Sequence, residues 1–303
     1  MCSACNNTER NTYSEIFGVR AIALTTNIGN WECIDTDTLN DMTYTYITCS
    51  TDKRGVTTVT LNRPDKHNAF NEDFIAELSR ALDEIRQDRD CKLMVLRSNG
   101  KNFSAGADLD WMKRMAGYTR AENVRDANAL AELLYRLNFL PVPTIARVQG
   151  AAMGGGCGLV ACCDIALAAD TAAFAFSEVK LGLVPATISP YVIRAIGEKQ
   201  ARRYFQTAER FGAERAKEIG LISEVMDESA LDEAVEKTID LILANSSEAV
   251  KEAKQLVFDV AGKPVTPELL QQTSESIANI RASEEGKEGL SAFLEKRKPA
   301  WLK

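Results

Sequence analysis

Residues 151–158 read "AAMGGGCG" and run directly into "LVACCDIALAAD" at 159–170. A glycine inside a helix costs up to about 1 kcal/mol relative to alanine. Three in succession, with a fourth at 158, therefore indicate backbone brought close to something. Just upstream, "TIARV" (144–148) reads as a buried strand, and "PVP" (141–143) stops the helix before it. The glycines thus stand where a strand hands over to a short apolar helix that runs through Cys162. Amides in the first turn of a helix lack intrahelical acceptors and carry the positive end of the dipole. The spacing fits neither the phosphate-binding G-x-x-x-x-G-K-[ST] pattern nor a dinucleotide fingerprint.

Working outward, strands and helices alternate. "TYTYITCS" (43–50), the turn "TDKRG" and "VTTVTL" (56–61) form a hairpin by their β-branched alternation. Asn71 caps a helix whose buried face is Phe74, Ile75, Leu78, Leu82 and Ile85. Strands follow at 92–98, 164–169 and 173–177, with a helix over 120–139 between them. Beyond Ile188 the chain reads as helical, apart from a short strand within 221–226. The class is α/β, built from repeated ββα units with a C-terminal helical region. Residues 1–41 are polar, lack periodicity and lack the layout of a signal peptide; they read as a disordered or loosely attached extension. The core spans 42–240 and the helical region 241–303.

A second small-residue loop lies in "NGKNFSAGADLDWM" (99–112), again between a strand and a helix, with Asp108 placed to cap the helix. Two amide-donating loops in one domain are what an oxyanion hole requires. The third element is Glu178 in "FSEVKLGLVP" (176–185), a carboxylate in apolar surroundings, where desolvation raises its pKa and suits it to proton transfer. Trp111 and Met112, on the helix after the first loop, line a ligand pocket or pack the core.

Composition narrows the chemistry. With one histidine, His67, no multi-histidine metal site can form, and a serine–histidine–acid triad is disfavoured. Eight cysteines show no disulfide-scaffold spacing, and those at 157, 162 and 163 read as packing residues in a reduced, cytoplasmic protein. Cys2-x-x-Cys5 lacks the second pair that zinc would need. A net charge of −7 argues against nucleic acid as a partner, and no apolar run is long enough to span a membrane.

"LNRPDKHNAFN", "FSAGADL", "VQGAAMGGGCGL", "CDIALAA", "SEVKLGLVP" and "FLEKRKP", in this order, resemble the crotonase (enoyl-CoA hydratase/isomerase) superfamily over residues 42–303. The resemblance implies a spiral of ββα units that assembles as a homotrimer or a dimer of trimers. It implies an acyl-CoA thioester substrate, with no metal and no redox cofactor. On the matching positions, the thioester oxygen is held by the amides of Ala107 and Gly155. CoA contacts come from Arg63, Lys66 and Ala69, from the backbone at Ala105, Asp108 and Leu109, and from Phe293 and Lys296. Glu178 matches the glutamate that exchanges a proton at the α-carbon. The second glutamate of many family hydratases would fall at 158, which here is Gly158. Three readings follow. One is a hydratase for branched substrates, similar to bacterial 3-methylglutaconyl-CoA and isohexenylglutaconyl-CoA hydratases of leucine and terpene degradation, with Gly158 making room for a C3 substituent. The others are an enoyl-CoA isomerase using Glu178 alone, and an inactive binding or scaffold protein on the same fold.

Overall fold

The computed structural model describes residues 44–302. The expected extension over 1–41, with Cys2 and Cys5, lies outside the described residues. β1 (Ile47–Thr51) and β2 (Val56–Leu61) pair antiparallel. The Asp52 carboxylate accepts the amides of Arg54 and Val56 and fixes the hairpin turn. Asn71 caps α1 (Glu72–Gln87) by accepting the Phe74 amide, and all five expected apolar residues of that helix are buried. β3 (Leu93–Ser98), β4 (Thr144–Val148), β6 (Ile165–Ala169) and β9 (Glu224–Met226) then add in parallel, giving the order β1-β2-β3-β4-β6-β9.

Parallel strands covered on both faces read as continuous apolar runs, and the sheet is packed accordingly. Met94, Leu96, Ala146, Val148, Ala166 and Ala168 face the main core, with α1 and α3 (Arg120–Asn138). The alternate residues Leu93, Val95, Ile145, Leu167 and Ala169 meet Leu231, Val235 and Ile239 of α7 (Leu231–Leu243).

A second layer arises because β2, β3, β4 and β6 are each followed by a bend and a shorter extended segment. β5 (Ala151–Met153), β7 (Ala173–Ala175) and β8 (Phe211–Gly212) form a three-stranded sheet, β5 pairing parallel to β7. Two single-residue bridges extend this layer toward the N-terminus, Ser104 to Ala152 and Phe70 to Ala107. Each turn of the chain thus contributes one segment to each layer before entering a helix: α1, α2 (Leu109–Met115) with α3, α4 (Gly155–Cys162), or α5 (Ser189–Thr207). This is the expected spiral of ββα units.

The strand expected at 173–177 stops at Ala175, and Glu178 opens a 3-10 turn ending at Leu181. β5 and β8, of three and two residues, are not read from sequence, because so few residues show no period. After α6 (Ala213–Glu218) and β9, the chain continues through α7 into α8 (Ser247–Val260), α9 (Pro267–Ala282) and α10 (Glu284–Leu294). Lys254 of α8 ties this region to the strands. Its Nζ lies 2.7 Å from Asp164 Oδ2 and donates to Val142 O, while Asp164 accepts from the Thr144 amide and hydroxyl. Among the described residues no helix is long and apolar enough to cross a membrane.

Candidate active site

Each glycine of the opening motif has a different neighbour. Gly154 adopts φ +49°, which disfavours an L side chain, and a Cβ there would stand 3.1 Å from Glu178 Oε1. A Cβ on Gly155 would meet the Phe70 ring at 2.7 Å. One on Gly156 would meet the Ser104 carbonyl oxygen at 2.9 Å, and one on Gly158 would meet Ile188 Cγ2 at 2.4 Å. The N-terminus of α4 is therefore packed against the 104–107 loop on one side and Glu178 on another. Two hydrogen bonds lock the loops together: the Ser104 amide donates to Ala151 O and the Met153 amide to Ser104 O.

The direction of the first donor follows from the peptide plane. The Gly106 carbonyl accepts the Phe70 amide at 2.7 Å. The Gly106–Ala107 peptide is planar and trans. Its N–H must then point away from Phe70, toward the side on which Ser104 pairs with Ala152. Gly155 is the first residue of α4, so its N–H projects from the helix end. Among the described residues neither the Ala107 nor the Gly155 amide donates to a protein acceptor. Ala107 is exposed and Gly155 half-buried. Two unsatisfied, reachable N–H groups on adjoining segments can hold one carbonyl oxygen.

Asp108 holds the first of these loops in place. Its amide donates to Phe70 O at 2.8 Å, its Oδ1 accepts the amides of Asp110 and Trp111, and its Oδ2 lies 3.0 Å from Arg63 Nη2. Burial pushes the Asp108 carboxyl up, but the two amides and the Arg63 guanidinium outweigh it and hold it below the ordinary range. Arg63 also donates to Ala69 O at 2.6 Å and stacks over the Tyr46 ring.

Glu178 is placed otherwise. Its Oε2 is buried with no hydrogen-bond partner among the described residues. Burial pushes its carboxyl above the usual carboxylate range, and a backbone hydrogen bond offsets only part of that. A carboxyl whose proton affinity is raised by burial, beside two unsatisfied amides, can give a proton to, or take one from, a carbon next to a bound carbonyl.

The remaining expected residues divide. Lys66 is half-exposed, 3.7 Å from Asp110, beside the exposed Ala105 and Leu109. Ala105 donates its amide to His67 O, and Ala69 is buried. Lys66, Ala105 and Leu109 thus lie exposed on the rim of the loop. The Arg63 and Asp108 side chains are 10% and 6% exposed and bonded to each other as an internal pair. Trp111 is core, 4% exposed, with its indole N–H donating to Asp126. Gly158 opens no space, because Ile188 and Leu134, both fully buried, fill the volume where its side chain would lie. Phe293, 81% exposed, and Lys296 lie at the end of α10, which packs with α8 and α9.

Phe70 and Ile188 are the residues that sequence reasoning misses. Both look like ordinary core positions, and only their approach to a glycine across the fold reveals them. Cys157 behaves as packing, its thiol buried and bonded to Ala152 O. No group of three or more metal-binding side chains is placed to hold an ion among the described residues. Two cavities elsewhere, about 150 Å³ against α7 and about 480 Å³ between α3 and α8, are lined by none of the site residues.

The pattern of the enoyl-CoA hydratase/isomerase family matches residues 51–303. A crystallised enoyl-CoA hydratase from Shewanella pealeana is 48% identical with a TM-score of 0.82, covering 85% of this chain and 96% of that one. The crotonyl-CoA hydratase of Syntrophomonas wolfei is 32% identical over 80% of this chain and 92% of its own. The trans-2-decenoyl-[acyl-carrier-protein] isomerase of Streptococcus mutans is 31% identical over 81% and 94%. With this fold, these two amide loops and a match over most of its length, the chain belongs to the enoyl-CoA hydratase/isomerase family.

Proposed function

We propose that the protein is an enoyl-CoA hydratase that adds water across the 2,3 double bond of an acyl-CoA thioester. The observation that carries this reading is the orphaned Glu178 carboxyl, set against Gly154 at the mouth of two unsatisfied amides. The thioester oxygen sits between the Ala107 and Gly155 N–H groups, and each such donor is typically worth about 3–4 kcal/mol of barrier. The water oxygen bonds to C3 and its proton passes to Glu178. The same carboxyl delivers a proton to C2, so the side chain ends as it began. The pantetheine and nucleotide lie along Lys66, Ala105 and Leu109.

The acyl group we infer is short and branched, of the 3-methylglutaconyl type. The support is the resemblance of the 158–170, 188–198 and 201–211 segments to hydratases of such esters, not any room at Gly158. The exposed apolar residues Leu270, Ile277, Leu290, Phe293 and Leu294 on α9 and α10 support assembly into a homotrimer or a dimer of trimers; sedimentation velocity tests it, and a monomer would refute it.

One observation favours a second reading. Ile188 seals the place of a second carboxylate, and a single acid suffices to move a double bond by taking a proton from C2 of a 3-enoyl ester and returning it to C4. The deciding assay offers 3-methylglutaconyl-CoA, crotonyl-CoA and a 3-enoyl-CoA in parallel. Hydration appears as loss of the conjugated thioester absorbance, and isomerisation as its gain from the 3-enoyl ester. Turnover of none of the three would refute both.

A further inference from the structure

The two oxyanion donors come from different loops, and their separation decides whether both reach one oxygen. An effective hole needs each donor about 2.7–3.1 Å from the developing anion, so something must gauge the gap between them. Phe70 is in contact with both. Its N–H and C=O are each bonded to the 106–108 loop, at 2.7 Å to Gly106 O and 2.8 Å from the Asp108 amide. Its ring edge lies against Gly155, with Cε2, Cδ2 and Cζ at 2.7, 3.1 and 3.6 Å from where a Cβ would be.

The ring cannot yield easily. Phe70 is 1% exposed and stacked on Phe74 of α1, centroids 5.1 Å apart and planes 17° apart. Its backbone is anchored from behind: Arg63 holds Ala69 O, and the Asn68 side chain accepts the Arg63 amide and donates to the carbonyls of Asn99 and Asn102. One residue thus sets the Ala107 amide through its main chain and stops the Gly155 amide through its ring. We infer that Phe70 is the positioning residue that fixes the distance between the two donors. The absence of a side chain at 155 is what lets α4 seat against it.

This inference rests on the proposed role of the two amides, and the test separates the two claims. In a Glu178→Gln background bound crotonyl-CoA stays unreacted, and the carbonyl stretch of the bound thioester, read by Raman difference spectroscopy, reports the hydrogen bonds it receives. Glu178→Gln alone is expected to show a clear downshift from the free ester; no downshift there would end the oxyanion reading itself. Adding Phe70→Leu should abolish most of that downshift, whereas adding Phe74→Leu, which thins the same stack from α1, should leave it. With Glu178 intact, Phe70→Leu should lower kcat by about 10- to 100-fold, the scale of a sub-ångström misplacement, with KM within about threefold. Phe70→Met carries the same expectation should the leucine variant fold poorly. A carbonyl shift unchanged by Phe70→Leu or Phe70→Met, or moved equally by Phe74→Leu, overturns the role of Phe70 while leaving the hole in place.

Discussion

Two carboxylates flank the paired amides, Asp108 buried and Glu178 half-buried, and they are built in opposite ways. Asp108 has every polar group engaged: two amides and a guanidinium on its carboxylate, and its own N–H on Phe70. Glu178 has an oxygen buried with no protein partner and a carboxyl pushed up by burial. A satisfied buried charge makes scaffold, whereas an unsatisfied one carries a free-energy penalty that folding alone does not explain. The contrast gives Asp108 the holding of the loop and supports the proton-transfer role proposed for Glu178.

The sharpest way to break that assignment is Glu178→Gln. The amide keeps the shape and removes the titrating proton, so kcat is expected to fall about 10³-fold with little change in KM for a CoA ester, in keeping with the loss of a general acid–base group. Near-normal turnover would put the proton transfer elsewhere.

Asp108→Ala should act first on stability. It leaves Arg63 buried with its guanidinium partly unpaired and removes the cap of α2. Breaking a buried pair from one side costs about 3–5 kcal/mol. Chemical denaturation reads the loss, and Asp108→Asn, which keeps an oxygen for the Asp110 and Trp111 amides, should recover part of it. Equal loss in both variants would mean that the cap contributes nothing.

Much of this is legible in the sequence. The strands at 56–61 and 144–148 and the Asn71 cap follow from period and side-chain chemistry acting within a few residues. Glu178 stood out because a carboxylate in "FAFSEVKLGLVP" has few local partners. What sequence does not disclose is contact between turns of the spiral. β5 and β8 are too short for a period. The Arg63–Asp108 pair joins residues 45 apart. The glycines announce close approach without naming what approaches, so Phe70 at 155 and Ile188 at 158 emerge only from the fold.

Gly158 offers the complementary test, a place where a carboxylate could have stood but does not. Even Gly158→Ala puts a Cβ 2.4 Å from Ile188 Cγ2 and 3.4 Å from Leu134 Cδ2. Overpacking of this kind costs about 1–3 kcal/mol, and Ile188→Ala in the same chain should return most of it. Gly158→Glu with Ile188→Ala then asks whether a second acid opposite Glu178 raises crotonyl-CoA hydration. If Gly158→Ala melts like the parent protein, Ile188 yields freely and does not define that wall.

The smallest effect expected is thermodynamic, and it runs against the usual direction for a buried-site substitution. The Glu178 carboxyl has a raised pKa in the folded protein, and once the chain unfolds it returns to an ordinary value of about 4.3. Below that value the side chain is protonated in both states and contributes no difference. As pH rises, the unfolded chain releases the proton before the folded one does, so stability is lost until the folded carboxyl also ionises. Glutamine has no proton to lose. Glu178→Gln should therefore melt above the parent protein at neutral pH, with a gap that narrows as pH falls toward 4 and closes below it. Asp108→Asn should show the reverse sign, because the folded carboxyl there is held below its ordinary value and its stabilisation is present at neutral pH and lost in acid. A melting-temperature gap for Glu178→Gln that is negative at neutral pH, or independent of pH, would mean that the glutamate is held by partners in the folded state and that the two carboxylates are not opposites.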